Sequence, residues 1–176
     1  MRQELLAMLA SIALVAPLSG AQAQQEEGHR CAAGPAEPTA ELAGWTRRSP
    51  LAAARDAAGL ANAALRVGSA VEATLHFTSD VRYLRQPGKP GGSMSYGGLF
   101  NLTIERGGAY RVALGSAAWV DVLKGMQAAT SIAHGHGPEC SGIRKVVDFR
   151  LTPGRHTLQI AANGAPTLQL MVVRLP

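Results

Sequence analysis

The segment KVVDFRLTPGRHTLQIAANGAPTLQLMVVRL, residues 145–175, decides the fold class. Apolar and polar residues alternate in KVVDFRL, HTLQIAA and TLQLMVVRL, as they do in half-buried strands. Two turn sequences separate these runs, Thr152-Pro153-Gly154 and Asn163-Gly164, and their residue types favour tight reversals of the chain. The segment therefore predicts three consecutive strands joined by turns.

The same two-residue period extends upstream to residue 64. In VEATLHF (71–77) the alternation predicts that Val71, Ala73, Leu75 and Phe77 share one face. Further strands are predicted at 99–105, 109–115, 118–124 and 128–135. About eight or nine short strands with frequent turns are typical of an antiparallel β-sandwich of jelly-roll type. We therefore predict an all-β sandwich domain over residues 64–176.

Residues 1–23 have the features of a secretory signal peptide. An apolar run extends from Leu5 to Leu18, and Ala21-Gln22-Ala23 follows as an A-x-A cleavage site. The run is too short to span a bilayer, and no later segment is apolar enough to do so. We therefore expect an exported protein, periplasmic or secreted, with no transmembrane span after signal cleavage.

Residues 24–63 are rich in proline and alanine and predict an extended arm ahead of the sandwich. Trp45 is expected to dock this arm onto the domain. The chain has two cysteines, Cys31 in the arm and Cys140. In an oxidising compartment an even pair is most simply a disulfide, so we predict a Cys31–Cys140 bond.

The chain is basic but lacks the features of a nucleic-acid-binding protein. The formal net charge is +5. The basic residues are scattered rather than clustered, and no basic recognition motif is present. We therefore expect attraction to anionic polymers in general and no nucleic-acid partner.

The stretch SIAHGHGPECSGIRK, residues 131–145, allows two interpretations. The first is a metal site, because His134, His136 and Glu139 spell H-x-H-x-x-E and His156 follows downstream. Two histidines and a carboxylate form the facial triad of non-haem iron oxygenases, and imidazole also suits zinc and copper. The candidate cofactors are therefore Fe, Zn or Cu.

The second interpretation of this stretch is a structural loop. Gly135 and Gly137 permit unusual backbone angles, and Pro138 fixes a turn. Cys140 would then attach the loop to the arm, and the histidines would bond to loop carbonyls.

Aromatic residues offer a different kind of site. Tyr83 precedes a long Gly/Pro-rich loop, and Tyr96 lies near its end. These two tyrosines predict a ligand surface for a polysaccharide, a peptide or another envelope component. Trp119 could join that platform, but its place beside Val120 and Val122 favours a core position.

The remaining catalytic patterns are weak in this sequence. No G-x-S-x-G elbow and no phosphate-binding loop is present. Asp121 and Asp148 fall within predicted strands, where we expect buried pairing with Arg144 or Lys145.

Part of the chain resembles the bacterial pre-peptidase C-terminal domain. The resemblance rests on FNLTIERGGAYRVALGSAAWVDVLKG and VDFRLTPGRHTLQIAANG. The residues that match the pattern are Tyr110, Asp121, Leu151, Pro153, Gly154, Leu158 and Ile160. That family is a small β-sandwich appended to secreted enzymes and implicated in adhesion or polymer binding. The resemblance implies the same fold and a binding role.

The mature chain also resembles a group of short exported bacterial proteins that are often labelled homogentisate 1,2-dioxygenase. The shared motifs here are ELAGW, GGSMSYGGL, YRVALGSAAWVDV, AHGHGPECSGIRKVVDF and LTPGRHTLQI. This resemblance implies a cupin-like, iron-dependent dioxygenase acting on an aromatic ring. Two hypotheses therefore stand: an exported, non-enzymatic binding module of the envelope, and such a dioxygenase.

Overall fold

The computed structural model describes Cys31 and residues 39–176, and its fold is the all-β sandwich that the sequence predicts. The predicted signal peptide and residues 24–30 and 32–38 of the predicted arm lie outside the described residues. The twelve strands are β1 (Arg48–Ala52), β2 (Ala64–Leu65), β3 (Ala70–Thr74), β4 (His76–Phe77), β5 (Tyr96–Ile104), β6 (Gly108–Leu114), β7 (Trp119–Lys124), β8 (Gln127–Ala128), β9 (Ser131–Gly135), β10 (Lys145–Leu151), β11 (Gly154–Asn163) and β12 (Thr167–Arg174).

The strands form two mixed sheets of six strands each. Sheet A has the order β1-β3-β12-β6-β10-β9. Sheet B has the order β2-β5-β11-β7-β8, and β4 pairs with β5 beside it. The described residues also form three short 3-10 helices, one ahead of β1 at Ala40–Leu42 and two in connections between strands at Ala58–Asn62 and Thr78–Asp80.

The segment 145–175 forms the three strands expected from its alternation, but they do not lie side by side. Strands β10 and β12 both pair with β6 in sheet A, whereas β11 lies between β5 and β7 in sheet B. The chain therefore changes sheets at both predicted turns. This exchange makes the segment the centre of the sandwich, because each sheet takes a central strand from it.

The core fills the space between the two sheets. Alternate residues of the central strands point inward from both sides, and each such Phe, Leu or Ile contributes roughly 1.5–3 kcal/mol by burial. Core residues from the two sheets include Phe100, Leu102, Ile104, Val112, Leu114, Phe149, Leu158, Ile160 and Leu170.

A smaller apolar cluster covers the outer face of sheet A. Trp45 is 1 % exposed and packs there with Leu42 and Ile143. The remaining members come from the outward-facing positions of four strands: Ala70, Ala113, Val146, Met171 and Val173. Trp45 thus docks its segment onto the domain, as expected.

The sandwich begins before residue 64, since β1 lies inside the stretch 24–63 that the sequence analysis treats as an arm. Strand β1 pairs with β3 in parallel, with Arg48 opposite Ala70. Parallel neighbours need a crossover connection of about a dozen residues or more. Here the connection 53–69 crosses to the other sheet, forms β2 beside β5, and returns. Both sheets are therefore mixed rather than purely antiparallel.

Cys31 and Cys140 are disulfide-bonded, which confirms the predicted pair. Disulfides persist in oxidising compartments outside the reducing cytoplasm. The bond therefore indicates a non-cytoplasmic protein.

For Cys31 and residues 39–176, we find no helix with the length and hydropathy that a bilayer span requires.

Candidate functional site

The two histidines of the 131–145 stretch lie at an edge of sheet A. His134 belongs to β9, which pairs only with β10, and its side chain is exposed. His136 follows the strand, and its Nδ1 lies 3.0 Å from the carbonyl oxygen of Arg144. Glu139 is exposed in the same loop. His136 therefore bonds to a loop carbonyl, as the structural interpretation expects.

The backbone of this loop is held by local contacts. Ser141 donates from its hydroxyl to the carbonyl of Pro138 at 2.6 Å and accepts from the amide of Ile143 at 3.1 Å. Cys140 has a φ of +58°, a left-handed conformation that side chains rarely adopt. A Cβ on Gly137 would collide with Ile143, which is buried. The close approach of Ile143 thus explains the glycine at position 137.

His156 lies apart from the other histidines, inside the sandwich. It is on β11 in sheet B, on the same inward face as Leu158 and Ile160, and it is 4 % exposed. Its Nε2 is 3.1 Å from the carbonyl oxygen of Thr152, so the Nε2 proton is donated there. The Nδ1 atom is buried without a hydrogen-bond partner in the structure.

The four predicted metal ligands are thus divided between the two sheets. Within the described part of the chain, no group of three or more His, Cys, Asp or Glu side chains could hold a metal ion. The H-x-H-x-x-E spacing of His134, His136 and Glu139 does not by itself bring these side chains together, because they follow an edge strand into a turning loop.

The burial of His156 predicts a pH dependence of folding. Burial, and next the charge of Lys124, lower the pKa of this imidazole below its ordinary value near 6.5. Below that value the unfolded chain binds a proton that the folded chain does not, so the free energy of unfolding falls as the pH decreases. The slope from this one group is at most about 1.4 kcal/mol per pH unit.

We expect His156→Gln to reduce the slope of the free energy of unfolding against pH, in the range between pH 6.5 and the lowered pKa of His156. The measurement is urea unfolding at several pH values. His134→Gln is the matched control, since His134 is exposed at the sheet edge, and it should retain the wild-type slope. Equal slopes for wild type and His156→Gln would contradict the assignment.

Tyr83 is an anchoring residue rather than a free surface residue. Its hydroxyl donates to the carbonyl of Ile160 at 3.0 Å, and burial raises the pKa of this phenol. A Cβ on Gly97 would collide with the same hydroxyl, which explains a glycine in the interior of β5. Tyr83 thus fixes the start of the 84–95 loop against sheet B.

The buried amide of Gln159 holds the next part of this loop. The Gln159 side chain is 1 % exposed, and its Oε1 accepts from the amides of Leu84 at 2.8 Å and Arg85 at 3.3 Å. Its Nε2 donates to the carbonyl of Arg85 at 3.0 Å. The loop is therefore bonded to the outer face of β11.

Tyr96 forms a stacked pair with Phe77. The ring centroids are 4.8 Å apart with an interplanar angle of 26°. Phe77 is 43 % exposed, and Tyr96 is half-buried against the core. Beside the pair, the hydroxyls of Thr78 and Ser95 lie 2.9 Å apart. The two rings and two hydroxyls form an amphipathic patch at one end of β5.

The alternation of VEATLHF gives the wrong face for Phe77. Val71, Ala73 and Leu75 are buried as predicted, but Phe77 is exposed. The reason is that β3 ends at Thr74 in sheet A, and His76–Phe77 continue as β4 beside β5 in sheet B. A two-residue period holds only while a strand stays in one sheet.

His76 fixes the position of β4 after this crossing. Its Nδ1 accepts from Nε of Arg55 at 3.1 Å, so the proton is on Nε2, which donates to the carbonyl of Ala53 at 2.8 Å. The ring is thereby held on both sides, and the neighbouring Phe77 is oriented toward Tyr96.

Trp119 is half-buried on the outer face of sheet B, so the predicted core position is wrong. Val120 and Val122 are buried, and strand alternation therefore directs Trp119 and Asp121 the other way. The indole Nε1 donates to Oδ2 of Asp121 at 2.9 Å. A Cβ on Gly88 would lie 2.8 Å from Cζ2, so glycine allows the 84–95 loop to pack against the ring.

Two lysines lie over the Trp119 ring. The ammonium nitrogens of Lys89 and Lys145 are 5.8 Å and 5.6 Å from the ring centroid, within the range of cation–π attraction. Lys89 comes from the loop, whereas Lys145 begins β10 in sheet A and donates to the carbonyl of Ala118 at 2.8 Å. We call Lys89, Trp119, Asp121 and Lys145 the Trp119 cluster.

The charges of the Trp119 cluster act on one another. Burial raises the pKa of Asp121, against the hydrogen bond from Trp119 and the charges of Arg85 and Lys145. Burial, and next the charge of Lys89, lower the pKa of Lys145. Asp121 thus lies near Lys145, as predicted. Asp148 pairs with Arg111 and not with Arg144 or Lys145.

No protein-family model matches this sequence, and no curated protein matches it with a significant score. The resemblances drawn from its motifs therefore stay predictions. The geometry of the Phe77–Tyr96 pair and of the Trp119 cluster carries the functional interpretation.

Proposed function

We propose that this protein is an exported, non-enzymatic β-sandwich module that binds a polysaccharide of the bacterial envelope. The single observation that carries the proposal is the stacking of the exposed Phe77 on the half-buried Tyr96. A ligand that covers the exposed part of the Phe77 ring removes apolar surface from water, which favours binding.

The chemistry of the pair suits a sugar better than an apolar ligand. One face of a pyranose ring carries C–H groups that pack on an aromatic ring, while its edge carries hydroxyls. The residues Thr78 and Ser95 adjoin the two rings in the chain, and their hydroxyls, which bond to each other and from Ser95 to the carbonyl of Gly92, keep acceptor lone pairs for that edge. Specific ligand sites combine aromatic surface with a few placed polar groups in this way.

The compartment and the sequence resemblance support the same function. The disulfide indicates a non-cytoplasmic protein, and the signal peptide predicted for residues 1–23 favours the periplasm or secretion. The resemblance to pre-peptidase C-terminal domains implies polymer binding rather than catalysis.

Phe77→Ala is expected to weaken polysaccharide binding by roughly tenfold, since it removes one ring of the pair. The measurement is the dissociation constant for immobilised peptidoglycan, and for galactan and polygalacturonate as neutral and acidic model polymers. Met126→Ala is the matched control, because Met126 is also an exposed apolar residue but lies beyond the far end of β7. No binding to any of the three polymers, or equal binding by wild type and Phe77→Ala, would contradict the proposal.

A further inference from the structure

The Trp119 cluster concentrates positive charge at one end of sheet B. Lys89 and Lys145 approach the same indole ring, and Arg85 is exposed in the adjoining loop. Asp121 is the one carboxylate of the cluster, and its Oδ2 accepts the indole proton. With Arg85 included, this region therefore has three cationic side chains and one carboxylate.

Within the described residues, no ion pair closer than 4.0 Å neutralises either lysine, and Asp121 only partly offsets the positive charge. Among the described residues, the ion pairs within 4.0 Å are those of Arg48 with Glu72 and of Arg111 with Glu41 and Asp148. Neither lysine of the cluster takes part in one. The proximity of Lys89 also helps to lower the pKa of Lys145, so the two ammonium groups repel each other in the free protein.

The arrangement is built by the fold rather than by chance contact of mobile side chains. Lys145 is on the same face of β10 as the buried Val147 and Phe149. Because Lys145 lies at the end of the sandwich, its amine reaches the carbonyl of Ala118 and donates to it. Lys89 is placed by a loop that Gln159 bonds at Leu84 and Arg85. The indole then holds both ammonium groups near one ring.

We propose that the Trp119 cluster binds a carboxylate group of an acidic polysaccharide, so that this polymer carries uronic acid residues. The choice of a polysaccharide rests on the proposed function, whereas the choice of an anion rests on the two lysines. A carboxylate between two ammonium groups accepts charge-assisted hydrogen bonds from both. It also removes the repulsion between them.

The direct test is a titration of the isotope-labelled protein with sodium galacturonate and with galactose at constant ionic strength. The chain has two tryptophans, and the Trp119→Phe variant identifies the indole N–H signal of Trp119. We expect galacturonate to shift this signal saturably and galactose to leave it in place. An unmoved signal with galacturonate, or equal shifts with both sugars, would overturn the anion site.

Two charge variants then assign the effect to the lysines. Lys89→Gln and Lys145→Gln are each expected to weaken binding of galacturonate and of polygalacturonate by about fivefold or more, and to reduce the salt dependence of polymer binding. Lys124→Gln is the control: it removes the same charge at the other end of β7, where Lys124 bonds to Thr152 and Pro153. Circular dichroism checks that all three variants fold.

The outcomes separate this inference from the proposed function. If Lys89→Gln and Lys145→Gln bind galacturonate like Lys124→Gln, the anion site is wrong, while an effect of Phe77→Ala on polymer binding still supports the polysaccharide function. If galacturonate binds at the lysines but none of the three polymers is bound, the polysaccharide assignment is overturned for both proposals.

Discussion

Replacing Arg111 by methionine is expected to destabilise the fold by about 3–5 kcal/mol. The guanidinium donates from Nε and Nη2 to the two carboxylate oxygens of Asp148, each at 2.8 Å. Asp148 is only 6 % exposed. Removing Arg111 therefore leaves a buried carboxylate without its partner, and the desolvation of that charge is no longer offset.

The location of the pair adds to the expected effect. Arg111 and Asp148 are opposite each other on β6 and β10, in the centre of sheet A, and Glu41 approaches Arg111 at 3.9 Å. The pair thus connects two central strands with the segment that carries Trp45. Chemical denaturation gives the free energy of unfolding of the variant.

A double variant and a surface pair serve as controls. Arg111→Met with Asp148→Leu removes both charges and is expected to recover much of the loss, because no unpaired charge stays buried. Arg48→Met breaks the exposed pair with Glu72 at 3.4 Å and should cost less than about 1 kcal/mol. Equal losses for Arg111→Met and Arg48→Met would contradict the argument from burial.

Cys140→Ser is expected to lower the free energy of unfolding by about 4–5 kcal/mol. The bond to Cys31 closes a loop on the order of 100 residues, which reduces the entropy of the unfolded chain by that amount in the chain-entropy model. The measurement is urea unfolding of the oxidised wild type and the variant.

Two comparisons make the disulfide prediction specific. The Cys31→Ser and Cys140→Ser single variants and the double variant should be equally stable, since each loses the same bond. Reduced wild type should match them. A loss below about 1 kcal/mol in all of these proteins would show that the bond contributes little to folding.

The fold could be predicted from the sequence because its determinants are local. The alternation in 145–175 and its turn residues depend on neighbours in the chain, and the structure has strands at all three places. The disulfide could be predicted from the number of cysteines and the predicted export. The change of sheet at each turn could not be predicted, because alternation identifies the buried face of a strand and not the sheet that the strand joins.

The candidate site could be predicted only in part. Tyr96 is recognisable at the end of a glycine-rich loop, but its partner Phe77 reaches it by a crossing between sheets. Lys145 and Trp119 are 26 positions apart in the chain and meet because β10 and β7 both begin at the same side of the sandwich. The spacing of the histidines predicts a metal site, yet His134 and His156 belong to different sheets.

Polysaccharide binding by the Phe77–Tyr96 pair is tested by comparing the dissociation constants of wild type and Phe77→Ala for immobilised polysaccharides at matched ionic strength. We expect wild type to bind at least one of peptidoglycan, galactan and polygalacturonate, and Phe77→Ala to weaken this binding about tenfold while Met126→Ala does not. Binding that is absent in the wild type, or unchanged in Phe77→Ala, would contradict the proposal.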